Sequence, residues 1–440
     1  MTRVAIIGAG VVGLMSAYYA RQQGFDVTVI EKNAPKRDSS SYGNAGLIVP
    51  SHITPLAAPG VINQGLRWLL DNESPFYVKP RLDMDLLRWG YYFWRSSTQA
   101  HVARSAPLFR DLSFASKQEY QALASVLGDD FQLTERGVLM LCRTEAGLEE
   151  EAHVAAQAEQ LGIKIQLLSR QDVHALEPNV KPDVVGAVHF LDDAHLNPGV
   201  LMHKLQRWLE ANGVQFVWHR DVVGIERAGN RVTALTARVT EIDAHTQSTA
   251  HTQSTRDFIP VKDTIAADAF VLCAGSWSPE FARALHLRLP IQAGKGYSMT
   301  LEQPPIQPNY PALLVEAKVA VTPFADSLRV GGTMEIAGIN HRVNANRVRG
   351  IIKSACQYYP ELTSEAFQDV PVWHGLRPCS PDGLPFIGKT HQFENVVVAT
   401  GHAMVGLSLA PVTGKLVSEV LAGKTPTVTL EPLSPNRFAA

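Results

Sequence analysis

The chain has 440 residues, 45% of them hydrophobic and 19% charged, with a formal net charge of −2. That length exceeds one ordinary core and predicts two or three globular domains, and the near-neutral balance excludes a general attraction to nucleic acid. Four cysteines without a CxxC pair, and fifteen histidines without an HExxH pair, argue for a reducing compartment and against a zinc site.

Residues 4–32 read VAIIGAGVVGLMSAYYARQQGFDVTVIEK. The charge-free start has the look of a secretory leader, but glycines at fixed offsets between a strand and a helix point elsewhere. The β-branched run 4–7 predicts a buried strand, 11–23 an apolar helix ended near Gly24, and 27–30 a second strand closed by Glu31. Gly8, Gly10 and Gly13 have the G-x-G-x-x-G spacing. Gly8 permits the tight turn, Gly10 lets backbone approach a pyrophosphate, and Gly13 lets helix and strand pack closely. The helix start at Val11 and Val12 presents N–H groups and partial positive charge to the anion. Glu31 accepts hydrogen bonds from ribose hydroxyls. The motif alone does not separate NAD from FAD, since both carry adenosine diphosphate.

DSSSYGNAGLIVP follows at 38–50, with Ser40, Ser41, Asn44, Ala45, Gly46 and Leu47. Residues this small suit a loop that wraps a phosphate or slides beneath a flat ring, and equally a polar linker. Residues 67–97 are rich in aromatics and arginines, including Trp89 and Trp94. They read as core with snorkelling arginines, the alternative being an interfacial membrane patch. Helices are predicted near 103–127 and 346–358, backing a sheet of strands at 132–143, 164–169, 184–191, 296–301, 318–322 and 327–332. An amphipathic helix opens at Asn197-Pro198 and stops at Gly213. A strand at 219–226 precedes a tandem AHTQST repeat at 244–255, which reads as an expanded hairpin tip. ADAFVLCAGSWS at 267–278 returns a strand to Ala274 and Gly275, and NVVVATGHAMVG at 395–406 returns another to Gly401 and a helix running from about 406 to 422. A helix start there would stabilise negative charge on a reduced flavin.

The fingerprint with Glu31, the SSSYGNAG loop, PLAAPG at 55–60, GLRPCSPDGLPFIG at 375–388 and GHAMVG at 401–406 together resemble the D-amino-acid oxidase superfamily of FAD-dependent oxidoreductases. Within it the chain is most similar to the bacterial D-amino-acid dehydrogenases of small-subunit type, with glycine oxidase, sarcosine oxidase and hydroxyproline dehydrogenases as relatives. The resemblance implies an α/β fold: a Rossmann-like FAD-binding domain of glutathione-reductase type, built from segments 1–60, 192–290 and 365–440, and an α+β substrate domain with a mixed antiparallel sheet from 61–191 and 291–364. It implies non-covalent FAD. Lys32, Val223, Trp277, Gly375, His402, Val405, Gly406 and Leu407 join the residues above as its contacts. Sarcosine oxidases attach FAD through a cysteine in this region, but here Gly375, not Cys379, aligns with the attachment position.

The implied reaction is oxidative deamination: hydride passes from the substrate α-carbon to flavin N5, and the imine is hydrolysed to a 2-oxo acid and ammonia. Neutral amines need no strong protein base for this, so the lack of a catalytic dyad does not exclude an enzyme. The site does need a carboxylate clamp, for which an arginine fork is suited. Arg377 is the first choice, its alternative role being a salt bridge to Asp382. Tyr297 and His52 are expected at the active site, His374 beside the ring, and Arg342 as a second clamp. The expected partners are an amino-acid substrate and an electron acceptor such as a quinone or respiratory-chain component. The expected location is cytoplasmic, with peripheral contact on the inner face of the membrane. An oxygen-using oxidase, a hydroxyproline dehydrogenase and a flavin-binding relay subunit of a hetero-oligomer are the competing readings. The substrate side chain stays open.

Overall fold

The computed structural model describes residues 1–37, 39–68, 73–128, 131–240 and 262–438. Asp38 and the tandem repeat at 244–255 lie outside the described residues. The β-branched runs form a six-stranded sheet in the order Phe386–Lys389, Val396–Thr400, Ala269–Leu272, Arg3–Ile7, Asp26–Ile30, Gln215–Val217. All its pairs are parallel except the first, and Val4 stands opposite both Val27 and Ala269. Such strands are covered on both faces, which is why they read as continuous apolar runs. Helix Val11–Gln22 crosses helix Ala410–Leu421 so closely that a Cβ on Gly414 would lie 2.5 Å from the Met15 carbonyl. The last helix starts at Ala410, later than the sequence suggests, because a 3₁₀ turn at Ala403–Val405 intervenes and Ala403 has φ +47.

The second body is a nine-stranded mixed sheet. Its order is Val372–Cys379, Gln292–Glu302, Ser327–Ile336, Val319–Pro323, Ala312–Leu314, Val138–Cys142, Gly186–Phe190 and Ile165–Ser169, with Phe76–Val78 added beside Ser327–Ile336. Side chains alternate between its faces. One face packs on helix Ala345–Tyr358 through Tyr297, Met299, Val319, Val330 and Ile351. The other, bearing Ser298, Gly331, Gly375 and Arg377, lines a cavity.

Three elements depart from the sequence reading. The strand expected from 132 begins only at Val138, because Gln132 (φ +63) and Gly137 (φ +86) break the extended path. Helix Gln99–Leu127 does not simply back the mixed sheet. Leu108, Phe109 and Leu112 pack on Leu409, Val412 and Leu416, and the Tyr120 hydroxyl donates to the Leu407 carbonyl at 2.7 Å. Strand Val372–Cys379 falls within the segment 365–440 but hydrogen-bonds along Gln292–Glu302 of the mixed sheet.

Candidate active site

A cavity of about 1760 Å³ runs from the fingerprint turn to the mixed sheet. That exceeds the roughly 300–1,000 Å³ of a drug-sized pocket and leaves room for a dinucleotide and a substrate. At one end Gly8 takes φ +102, and a Cβ there would lie 2.6 Å from the Cys273 carbonyl oxygen. A Cβ on Gly13 would overlap the Gly8 carbonyl oxygen, at 1.9 Å, so Gly13 packs and does not face the cavity. Gly10, Val11 and Val12 do line it. Gly10 has only Ser41 Oγ near its missing Cβ, at 3.8 Å, and that hydroxyl accepts the Val11 N–H at 3.1 Å. This open, Cβ-free turn at a helix start fits a pyrophosphate.

Glu31 is buried in the cavity wall. Its Oε2 accepts the Ala9 N–H at 2.9 Å, and its Oε1 accepts Asn33 N–H groups at 3.0 Å. A carboxylate has about four lone-pair sites, so acceptor capacity is left for ribose hydroxyls. Lys32 lies 3.6 Å over the Trp277 ring, and burial pulls its pKa down. Arg37, which the sequence reading passed over, is buried beside the turn. Its Nη2 donates to the Ala9 carbonyl at 2.6 Å and its Nη1 to Gln206 Oε1 at 2.8 Å, which places a cation next to the anion-binding turn.

The serine loop joins the two bodies. Ser40 Oγ donates to the Leu376 carbonyl and accepts the Leu376 N–H, both at 3.0 Å. Arg329, also unforeseen, donates to the Tyr42 and Asn44 carbonyls, and burial takes its pKa down to about 10. Ser298 Oγ donates to the Gly43 carbonyl at 2.9 Å. The Trp373 indole lies between two glycines, where a Cβ on Gly43 or Gly375 would come within 2.1 or 2.2 Å of it. Asn44, Ala45, Leu47, Ala274, Gly275, Trp277 and Gly375 line the cavity, as do His402, Val405, Gly406 and Leu407. Gly46 and Gly401 stand behind the lining and serve the turns, at φ +83 and +80. Val223 is a correction: it is 46% exposed, and its neighbour Val222 lines the cavity, because strand alternation and a bulge between Val222 and Gly224 turn Val223 outward.

At the other end Arg377 is half-buried against the mixed sheet, with Nη1 donating to the Thr333 carbonyl at 2.7 Å. Its guanidinium occupies the space above Gly296, where a Cβ would lie 2.2–2.5 Å from Nη1, Nη2 and Cζ. The alternative partner Asp382 is engaged elsewhere: Arg437 holds its two oxygens at 2.7 and 2.9 Å. Among the described residues no carboxylate forms an ion pair with Arg377. Burial lowers its pKa, yet an arginine stays charged at neutral pH. A half-buried cation on a cavity wall without a protein anion suits a substrate carboxylate.

His52 lines the cavity, and burial lowers its pKa, so it is neutral. The loop carrying it is tied down by Asp193, whose oxygens accept the Ser51 N–H at 2.9 Å and the Ser51 hydroxyl at 2.6 Å. His402 donates to or accepts from Thr413 Oγ1 at 3.0 Å, and burial pushes it down to about 3. His374 pairs with His341 at 3.1 Å on the cavity wall. Tyr297 is a second correction. It borders the cavity, but its ring packs on the helix side of the sheet, and its hydroxyl donates to Glu335 at 2.9 Å and accepts the Asn344 N–H. Arg342 is exposed outside the cavity. Cys379 is fully buried behind the lining, with burial pushing its thiol up to about 12.

A mostly parallel dinucleotide sheet sharing one cavity with a large mixed sheet and a half-buried arginine defines the class of a flavin-type oxidoreductase. Residues 3–420 match the FAD dependent oxidoreductase family, and the chain belongs to it. It is 29% identical over 445 residues to the D-amino acid dehydrogenase of Granulibacter bethesdensis, covering 99% of this chain and 100% of that one. In fold it matches glycine oxidase from Geobacillus kaustophilus (TM-score 0.74, 20% identity, 100% of both chains). It also matches L-proline dehydrogenase from P. horikoshii (TM-score 0.70, 16% identity, 99% of this chain and 97% of that one). The cofactor is therefore FAD and the protein an FAD-dependent oxidoreductase.

Proposed function

We propose that the protein is a dehydrogenase that oxidatively deaminates D-amino acids and passes the electrons to a quinone or another respiratory acceptor. The observation that carries the reading is Arg377, a half-buried cation on the cavity wall with no protein anion paired to it among the described residues. The D-amino acid dehydrogenase relative supplies the stereochemical side of the reading. In this reading residues 1–60, 192–290 and 365–440 form the FAD-binding body and 61–191 and 291–364 the substrate body, with Gln99–Leu127 and Val372–Cys379 crossing between them.

FAD, when bound, supplies the hydride acceptor. Gly10 and the helix start would hold its pyrophosphate, and Glu31 its ribose. Arg377 binds the substrate carboxylate and so fixes which face of the α-carbon is presented. Neutral His52 and His402 add hydrogen-bonding capacity without adding charge. Trp89 and Phe93 close the cavity beside the arginine's strand and keep water from it. FAD would be held without a covalent link, since position 375 is glycine under the Trp373 ring and the Cys379 thiol is buried and protonated.

The test is anaerobic bleaching of the flavin by a panel of D-, L- and N-methylated amino acids. D-amino acids are expected to bleach it and L-enantiomers not. Peroxide formation in air at the rate of dye reduction would replace the dehydrogenase by an oxidase. Yellow colour left in an acid-precipitated pellet would overturn the dissociable cofactor.

A further inference from the structure

The cavity does not end at Arg377. It continues along the mixed sheet to helix Glu145–Gln160, whose Glu151, Val154 and Gln157 line it at three-residue spacing and so share one helix face. The floor between is low: Ser298, Gly331 and Ala320 stand side by side on neighbouring strands, and Leu313 and Met140 continue the row. Glu151 is 7% exposed. Among the described residues its carboxylate accepts no hydrogen bond and forms no ion pair; the exposed Lys318 and Glu150 act on it only from a distance. Buried acids are ordinarily paired or supplied with donors. Seven acidic residues are buried among the described ones, and the other six each have such a partner. Glu151 is the exception, and it borders a cavity.

The spacing of the two charges indicates what joins them. Arg377 is held at the Thr333 carbonyl, and on the next strand Val319 stands opposite Gly332, so the Lys318 turn is one strand away. Met140, which packs on helix Glu145–Gln160 through Ala155 and Ala158, is three strands from Gly331. Strands stand about 4.8 Å apart, which puts Glu151 on the order of 10–15 Å from the guanidinium. An extended amino acid with a side chain of lysine or arginine length measures roughly 8–9 Å from its carboxylate to its terminal nitrogen, at bonds of about 1.5 Å. A hydrogen bond of about 2.8 Å at each end brings that span to about 14 Å.

We propose that the cavity is a two-ended site for an amino acid with a cationic side chain, with Arg377 on the α-carboxylate and Glu151 on the terminal ammonium or guanidinium. The cation supplies the partner that the buried carboxylate lacks, and the small residues of the floor leave room for the chain between. Glu151 meets the part of the substrate that does not react, so it selects the substrate and takes no part in the oxidation. That the ligand is an oxidisable D-amino acid rests on the dehydrogenase reading; the two-ended site does not.

The test uses two probes without an α-amine, which the enzyme cannot oxidise: 5-guanidinopentanoate and its uncharged isostere 5-ureidopentanoate. Binding to the holoenzyme is read by calorimetry. The guanidino probe should bind at least about tenfold more tightly than the ureido probe, the worth of one charge-assisted pair. Glu151→Gln should bring the two within about threefold of each other by weakening the guanidino probe alone. Glu151→Asp, which keeps the charge but draws it back, should restore part of the difference. Anaerobic flavin bleaching should follow the same order with D-arginine and D-citrulline. Equal binding of the two probes by the wild type overturns the proposal, and so does a Glu151→Gln protein that keeps the full difference. Probes that bind as expected while no D-amino acid bleaches the flavin would fault the dehydrogenase reading and leave the two-ended site standing. Equal probes with ready bleaching by D-citrulline would do the reverse.

Discussion

Replacing Gly296 by alanine tests the clamp without touching the arginine. The backbone at 296 has no positive φ, so alanine brings no torsional strain. Its Cβ would lie 2.2 Å from Arg377 Nη1, 2.3 Å from Nη2 and 2.5 Å from Cζ. Unbonded carbon-sized atoms rest about 3.5–4.0 Å apart, so the guanidinium must shift by roughly 1 Å or more. The 2.7 Å bond to the Thr333 carbonyl breaks or reorients with it. A displacement of that size costs about 100-fold in a positioned reaction, equivalent to about 2.7 kcal/mol. The assay is kcat/KM with a dye acceptor and a D-amino acid that bleaches the flavin, alongside flavin content and Tm. Arg377→Ala, which removes two charge-assisted hydrogen bonds of about 1.5–3 kcal/mol each, should lose more and mainly in KM. Neither variant should discriminate an amino acid from its amide as the wild type does. A Gly296→Ala enzyme with intact flavin and kcat/KM within about threefold of wild type would refute the reasoning.

The remaining predictions concern stability as much as turnover. Asp382→Ala leaves Arg437 buried and unpaired, so Tm should drop by the equivalent of about 3–5 kcal/mol, while KM stays put because Arg377 does not use Asp382. Asp193, fully buried, is raised to about 7, chiefly by loss of hydration. In the unfolded chain it ionises near the ordinary carboxylate value, so between about pH 4 and 7 the native state binds the extra proton, and stability falls as pH rises through that window. Asp193→Asn should abolish this slope, and the difference in unfolding free energy between the two proteins, measured at pH 5 and pH 8, should move by a few kcal/mol in favour of the variant at pH 8. An unchanged difference would mean that the carboxylate is better solvated than its burial implies.

What could be read from the sequence followed how local each signal was. The strand, glycines, helix and Glu31 of residues 3–31 are neighbours along the chain, and the structure reproduces the elements, the positive φ at Gly8 and the close packing at Gly13. Arg377, singled out by its surrounding GLRP motif, lies on the cavity wall. Arg37 and Arg329 were not legible, since each acts on backbone carbonyls of a loop whose path is set by distant contacts. Trp373 was hidden in the same way: only the fold brings its ring between Gly43 and Gly375. Trp89 and Trp94 looked alike in sequence, five residues apart in one helix, yet one is 5% exposed and the other 65%. Helical periodicity separates them only once it is known which face meets the cavity.

The Tyr297 ring turns to the helix side for a different reason, and the reason also bears on the setting of Arg377. On a strand, adjacent residues face opposite sides, so with Ser298 turned to the cavity the Tyr297 ring packs on the helix side. The register between Gln292–Glu302 and Ser327–Ile336 shifts between Lys295 and Tyr297, where three steps on the partner strand meet two. Thr333 sits in that bulge with φ +69, rare for a β-branched residue and a sign of local strain. Bulges re-aim side chains and carbonyls. Here the Thr333 carbonyl meets Arg377, while two residues on Glu335 meets Lys295 at 3.3 Å on the far face and draws the Tyr297 hydroxyl toward it. The irregularity that leaves the tyrosine ring on the helix side of the sheet therefore also supplies the carbonyl that holds the Arg377 guanidinium. In the sequence it is visible only as VGGTMEI, an ordinary strand with two glycines.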